Sequence, residues 1–436
     1  MAARHGISRR RFGGAVAAAA SALVLGSESA RADSVAALPA AIAALPVLSA
    51  QARPFTNAER QARIERAKEL MTTAKIDTIL LANSTNSSVY FADLRLNAGE
   101  RLWALVIPAR TKPFLVCPAF EEGRARETLA SGPLGKDTGV LTWQEDESPY
   151  ETLGKGLKDR DLASATIGLD ENTKFVFADG IRAANPHLNL VSATPVTAGC
   201  RMIKDAHEIE LIRLAGQVTL KCYEAVFKAL QPGMTQDEVS RLIDAGYERL
   251  GFPGHASVQV GEYTALPHGS ITPQTIREGT IIMVDDGCTV EGYQSDITRT
   301  FVLGKATDRM KKIFDIVHRA QDAALKAARP GVPLESIDAA ARKVIVDAGF
   351  GPGFKYFTHR VGHGLGLDIH EWPYLVKNNM FGWEKALTMK PGMVFSDEPG
   401  IYIPGEFGVR LEDDMFVTGN GAELFTPQSP DIENPF

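Results

Sequence analysis

From residue 57 onward, short apolar runs alternate with amphipathic stretches, as they do where strands alternate with helices. A polar helical stretch over 57–73 leads into Ile76-Asp77-Thr78-Ile79-Leu80-Leu81, an apolar run of strand length. Residues 103–107 and 114–117 read as two more strands, with Arg110-Thr111-Lys112 turning the chain between them. Helices are expected over 121–130 and 149–157 and a strand over 166–169, which together predict an α/β domain spanning 57–199. Residues 33–56, rich in Ala and Pro without a period, are read as a linker.

After residue 200 the pattern becomes that of a long helix. Between His207 and Leu230, apolar side chains recur at Ile209, Ile212, Ala215, Tyr223, Val226, Phe227 and Leu230, and Gln231-Pro232-Gly233 stops the run. Thr235, with Glu238 three residues on, forms a capping box for the next helix. The same phrase returns 98 residues later: Pro232-Gly233, Val239 and Gly251-Phe252 correspond without a gap to Pro330-Gly331, Ile337 and Gly349-Phe350. Ala225 and Ala229 likewise map to Ala323 and Ala327. Two equal helix–turn–helix units, each followed by strands, predict an internally duplicated α+β domain over 200–436.

Each half then ends in a strand pair carrying two acids. Asp285 follows the apolar run 280–284 and Asp296 opens 296–302; Glu398 follows 393–396 and Glu412 precedes 415–417. Alternation places Arg410 and Glu412 on one strand face, and Asp286 on the face opposite Asp285. Folding the halves face to face would bring four carboxylates to one centre.

Charge and composition add the compartment. The 436 residues carry a formal charge of −6 and no basic run in the body of the chain, so no nucleic-acid partner is expected. Ser8-Arg9-Arg10-Arg11-Phe12, the weakly apolar stretch from Ala15 to Leu25 and Ala30-Arg31-Ala32 follow the order of a secretory signal. The arginines before Phe12 resemble a twin-arginine export signal, so residues 1–32 are expected to be removed and the protein to be periplasmic. About 11 apolar residues are too few to cross a bilayer, so no stable membrane span is expected after removal. Losing five Arg and one Glu takes the charge from −6 to −10. Cys117, Cys200, Cys222 and Cys288 lack Cys-x-x-Cys spacing and are read as mostly core residues, with any disulfide pairing left open.

Burying a carboxylate costs several kcal/mol unless something compensates it. One acid at a strand end is ordinarily solvated. Four in matched halves, beside a histidine-rich segment, point instead to divalent cations. That segment, His359-Arg-Val-Gly-His363-Gly-Leu-Gly-Leu-Asp-Ile-His370-Glu371, holds three of the nine histidines. Gly362, Gly364 and Gly366 argue against a helix there and for extended backbone that other groups approach closely. His268 stands in the turn-like Ala265-Leu-Pro-His268-Gly. Oxygen-rich sites with one imidazole suit manganese, iron, cobalt or zinc, and bridging carboxylates admit two ions roughly 3.5–4 Å apart.

The strings Asp285-Asp-Gly-Cys-Thr-Val-Glu-Gly-Tyr-Gln-Ser-Asp296-Ile-Thr-Arg-Thr, Gly362-His363-Gly, Glu398-Pro-Gly and Arg410-Leu-Glu412-Asp-Asp resemble those of the pita-bread metallohydrolases. That superfamily includes prolidase, aminopeptidase P, methionine aminopeptidase and creatinase. The likeness runs from Arg201 to the C-terminus, and the preceding α/β segment resembles the creatinase-like N-terminal domain. It implies two divalent ions, manganese first, with cobalt, zinc or iron as alternatives. Asp285 would hold one ion, His363 and Glu398 the other, and Asp296 and Glu412 would bridge them. The implied reaction is hydrolysis of Xaa-Pro bonds, in peptides with proline second, by a hydroxide held between the ions. Glu398 would handle its proton. His268 and His370 would contact substrate and stabilise the tetrahedral intermediate or leaving nitrogen, and His359 and Arg410 would line the pocket. A homodimer or homotetramer is implied as well.

Asp413 and Asp414 are expected to be solvated or to lie behind the ligands. Asp397, where the family shows an apolar or small residue, would change metal affinity or point outward. The stretch 254–264 leading to His268 matches loosely, which leaves the subsite it forms open. Methionine aminopeptidase lacks such an N-terminal domain, and creatinase has lost ligands present here. Prolidase (dipeptides) and aminopeptidase P (longer peptides) are not separated. The alternatives are a relative hydrolysing a non-peptide bond such as a phosphoester, and a catalytically silent binding protein of the same fold.

Overall fold

A computed structural model of the protein describes residues 37–83, 85–95, 99–378 and 386–436. The expected signal peptide and the first residues of the expected linker lie outside them. Every element below belongs to one unit, Leu38–Phe436.

Thr56 starts the first long helix, Asn57–Ala74, through a capping box in which the Glu59 carboxylate accepts the Thr56 N–H at 2.7 Å. The apolar runs form the buried strands Thr78–Ala82, Ala104–Pro108 and Phe114–Pro118. They pair antiparallel, the first two across a connection that holds the helix Asn86–Ala92 and the last two across the short turn 109–113. Gly139–Trp143 adds parallel outside Phe114–Pro118, and Thr166–Leu169 then Asn189–Ser192 add parallel beside Thr78–Ala82, completing six strands. Period-two alternation sends Ile79, Leu81, Leu105 and Ile107 into one core and Leu80, Val106, Phe114 and Val116 into another, so both faces of the sheet are covered.

Residues 37–56, read above as a linker, pack some of their apolar side chains against the fold while Leu38 and Val47 stay exposed. Ile42, in the short helix Ala40–Ala43, and Leu45 are buried, and Leu48 N–H donates to Leu250 O at 2.8 Å. The sparse Ile and Leu of that stretch carry no period, yet they suffice to pin it to the helix Gln236–Leu250. All four cysteines are buried and free. No helix among the described residues is long and apolar enough to cross a membrane.

The second domain repeats itself. Helices Ala206–Phe227 and Gln236–Leu250 are matched by Asp308–Ala327 and Glu335–Asp347. The repeated Pro-Gly turns need positive φ, 98° at Gly233 and 84° at Gly331, where glycine alone is unstrained. Their bonds repeat too: Gly233 N–H donates to Ile276 O at 2.8 Å and Gly331 N–H to Met389 O at 2.9 Å. Return bonds run from Ile276 to Met234 and from Met389 to Val332. The helices are therefore 98 residues apart, but the strand partners Ile276 and Met389 are 113 apart. The second half has gained residues between helix and strand, and the His359–His370 segment lies in that longer stretch.

Asp285 and Glu398 are also 113 residues apart. In the first half, Ile281–Asp285 lies between Ser257–Val260 and Arg299–Val302. In the second, a five-stranded sheet runs Glu371–Tyr374, His363–Gly364, Val394–Asp397, Asp413–Val417, Ala422–Leu424.

Candidate metal centre

Asp285 closes a strand whose first four residues are buried, and Asp296, Glu398 and Glu412 lie just outside strand ends. Asp296 is fixed by its own N–H, which donates to Asp414 Oδ2 at 2.9 Å, and Glu412 by an N–H to Thr298 O at 3.2 Å. Glu398 N–H donates to Val361 O at 2.8 Å, tying it to the histidine segment. That segment is strand at His363–Gly364 and bends over 366–370, and Gly362 and Gly364 are steric necessities. A Cβ on Gly362 would collide with the Ser396 carbonyl and one on Gly364 with the Trp372 carbonyl. His363 Nδ1 lies 3.1 Å from Gly364 O, so that nitrogen donates and Nε2 faces the acids, 3.3 Å from Glu398 Oε1 and 3.6 Å from Asp296 Oδ2.

The result is one cavity of about 290 Å³ that all nine singled-out residues line: Asp285, Asp296, His363, Glu398 and Glu412, with His268, His359, His370 and Arg410. Donor atoms of His363, Glu398 and Glu412 lie within 4.8 Å of one another, as do those of Asp285, Asp296 and Glu412. Asp296, His363 and His370 make a third such group. Four carboxylates thus face one fully buried guanidinium, Arg410, whose Nη2 is 2.5 Å from Asp285 Oδ2. Burial, then repulsion from Asp285, pushes the Asp296 carboxyl well above its ordinary range; burial and Asp296 do the same to Glu412. Burial raises Glu398 to about 7 against the pull of Arg410. Burial, with His370 nearby, drives His363 well below its usual value, leaving it neutral as a ligand must be. An acid cluster this short of positive charge, with a neutral imidazole turned into it, fits divalent cations.

The remaining residues divide by how free they are. His268 and His370 are exposed on the open side. His359 is engaged at both nitrogens: Nδ1 donates to Arg360 O at 2.8 Å, and the Tyr402 hydroxyl donates to Nε2 at 2.7 Å. Burial and the neighbouring Arg410 bring it down to about 3, so it is neutral. Arg410 also donates to Tyr402 Oη at 3.0 Å and to Thr298 Oγ1 at 2.9 Å.

Sequence reasoning passed over Thr298, whose hydroxyl lies 2.5 Å from Asp285 Oδ1 and 2.6 Å from Glu412 Oε2. It also passed over Tyr402 and Arg360, the last lining the cavity with its guanidinium 4.6 Å over the Tyr374 ring. A Thr two residues after an expected ligand, and an Arg three before one, were the available signals.

Two either-or expectations are narrowed and one is corrected. Asp413 and Asp414 lie behind the ligands, as the second of their two expectations had it: Asp413 is held by Arg299 at 2.7 Å, Thr426 at 2.8 Å and Gln321 at 3.0 Å, and Asp414 lies behind Asp296. Asp397 does not point outward; it is fully buried opposite Asp413, and neither carboxyl oxygen has a hydrogen-bond partner. Burial and the Asp413 charge push it well above the usual carboxylate range. Asp286 is not turned wholly away. It leaves the strand with φ 102°, reaches the cavity wall and accepts the Ser257 N–H at 3.1 Å.

An α/β domain followed by a duplicated domain that pools acids from both halves defines the creatinase-type pita-bread class. Residues 210–419 match the model of metallopeptidase family M24, and residues 63–203 that of the creatinase/prolidase N-terminal domain. The chain is 32% identical over 374 residues to a putative dipeptidase, YkvY, of Bacillus subtilis, covering 85% of this chain and 99% of the relative. It is 30% identical to an Xaa-Pro dipeptidase of Lactobacillus helveticus over 85% of this chain and 98% of that one. The crystal structure of dipeptidase PepE from Mycobacterium ulcerans superposes with a TM-score of 0.80 at 31% identity, covering 87% and 99% of the two chains. The chain belongs to metallopeptidase family M24, and is a metal-dependent peptidase of that family.

Proposed function

We propose that the protein hydrolyses Xaa-Pro peptide bonds with two divalent ions at this centre, manganese first and cobalt, zinc or iron as alternatives. The observation that carries the reading is the pair of donor groups sharing Glu412, one completed by His363 and Glu398 and the other by Asp285 and Asp296. Bound there, such ions polarise a carbonyl and activate water for attack on it. Asp285 would serve one ion and His363 and Glu398 the other, with Asp296 and Glu412 between them. The chain's own groups do the rest. Glu398, braced by the Ser396 hydroxyl at 3.3 Å, holds the proton released at the cavity wall. His268 and His370 meet the peptide from the open side, where they stabilise charge on the substrate oxygen or leaving nitrogen. Arg410 keeps Asp285 oriented directly and Glu412 through Thr298.

Proline specificity is supported by the Xaa-Pro dipeptidase relative. The test is metal analysis with hydrolysis of Ala-Pro and Ala-Pro-Ala. Turnover of the first alone makes it a dipeptidase; turnover of neither with manganese, cobalt or zinc rejects the assignment. We further propose export to the periplasm through Arg9-Arg10-Arg11, and assembly as a homodimer or homotetramer. Replacing Arg9, Arg10 and Arg11 by Lys should trap the full-length chain in the cytoplasm, read by cell fractionation. Light scattering of the purified enzyme reads the oligomer.

A further inference from the structure

His370 sits on the cavity rim without anchoring itself. Among the described residues its imidazole makes no hydrogen bond, and its ring contact is with His363, 3.8 Å between centroids. What surrounds it is far more constrained. The next residue, Glu371, is buried and gripped by Arg201 Nη2 and by Lys204 Nζ at 2.6 Å. The same Arg201 Nη2 reaches Asp368 Oδ2 at 2.5 Å, and Asp368 Oδ1 accepts from Asn86 Nδ2 at 2.6 Å. Asn86 Nδ2 also donates to Leu367 O at 3.0 Å. Anchors therefore stand on both sides of His370, at 367, 368 and 371.

Those anchors come from outside the loop's own sheet. Arg201 ends the helix Thr194–Arg201, Lys204 follows it on the connector between domains, and Asn86 opens the helix Asn86–Ala92 of the N-terminal domain. Burial by itself would raise the Glu371 carboxyl, but Arg201 and Lys204 hold it below the ordinary range. A buried ion cluster of this kind is a poor source of stability, because desolvation offsets much of the attraction and apolar replacements often do as well. What it supplies is a fixed geometry.

We propose that Arg201, Lys204 and Glu371, with Asp368 and Asn86, form a clamp that positions the His370 imidazole for substrate, making the N-terminal domain a participant in the reaction. The proposal rests on the reading of His370 as a substrate contact. Arg201 and Asn86 are then positioning residues, acting through His370 alone.

A double-mutant cycle tests this on the full-length, manganese-loaded enzyme with Ala-Pro as substrate, with metal content and melting temperature measured for each variant. Arg201→Met is expected to lower kcat about tenfold, with KM changed by less than about threefold and metal content unchanged. In a His370→Ala background the same substitution should move kcat less than about twofold. Asn86→Ala removes the N-terminal anchor while leaving the buried charges paired, so it gives a smaller loss that also vanishes without His370. It carries the test if Arg201→Met fails to fold. Arg201→Lys should restore part of kcat. Losses that multiply in the double variants, or wild-type kcat in both single variants, overturn the clamp. Wild-type kcat in His370→Ala itself overturns the substrate-contact reading first, and the clamp with it.

Discussion

Asp296 has Asp285, Asp414 and Glu398 all bringing negative charge toward it in a buried setting. Its ionised form is disfavoured until cations arrive, so its contribution to the metal-free fold is unfavourable. Asp296→Asn should therefore lose metal, measured by elemental analysis, and at least about 100-fold in kcat, while the metal-free melting temperature stays level or rises. A fall in that temperature would make Asp296 a structural residue. Asp397 is the sharper case, because neither oxygen is satisfied and the position 113 residues earlier is Val284. Asp397→Val should raise stability by about 1–3 kcal/mol, read by calorimetry on the metal-free protein. Destabilisation would mean that the acid is compensated in solution.

At the level of helices and strands, the capping boxes tie local sequence to stability. Burial would raise the Glu59 carboxyl, but the Thr56 backbone and hydroxyl, with His207, bring it down to about 2 from an ordinary 4.5. A depressed carboxylate stabilises the fold fully above its unfolded value and loses that contribution as pH falls through its folded one. The wild type should thus lose stability between about pH 4.5 and 2, and Glu59→Gln should flatten that slope in an acid-unfolding series. Strand approach imposes the opposite kind of demand. Gly364→Ala would drive a methyl group into the Trp372 carbonyl, so the strand His363–Gly364 must shift and take His363 with it. The expected cost is about 1–3 kcal/mol, seen as a lower melting temperature together with weaker metal binding.

The whole molecule is two halves of a duplicated domain clasped around a shared excess of negative charge, with the N-terminal domain's Asn86 and the inter-domain Arg201 gripping the loop beside the site. Ions that bind the folded chain alone stabilise it by mass action. A free concentration 100-fold above Kd contributes about 2.7 kcal/mol per independent ion. Chelation should therefore lower the melting temperature of the loaded enzyme, and Asp296→Asn should lose most of that response. An unchanged melting temperature on complete metal removal would count against a centre that the fold is built around.

Much of this was legible along the chain because local rules act locally. Apolar runs of strand length, the Thr235–Glu238 box and the repeated Pro-Gly turns each need only their neighbours, and the 98-residue echo showed why acids come in pairs. The boundary of what could be read falls where partners are distant in sequence. The fate of Asp397 depends on a strand 16 residues away that sets Asp413 opposite it, and no pattern around Asp397 announces that. Asp413 and Asp414 could be solvated or lie behind the ligands until Arg299, Thr426 and the Asp296 N–H close over them and decide it. The 37–56 stretch looks featureless because its few apolar residues answer to the helix Gln236–Leu250 rather than to one another. Composition and spacing could nominate the donors of a metal centre; which of them are free, which are braced and which are merely buried follows from long-range packing, since burial and charge are properties of the assembled neighbourhood.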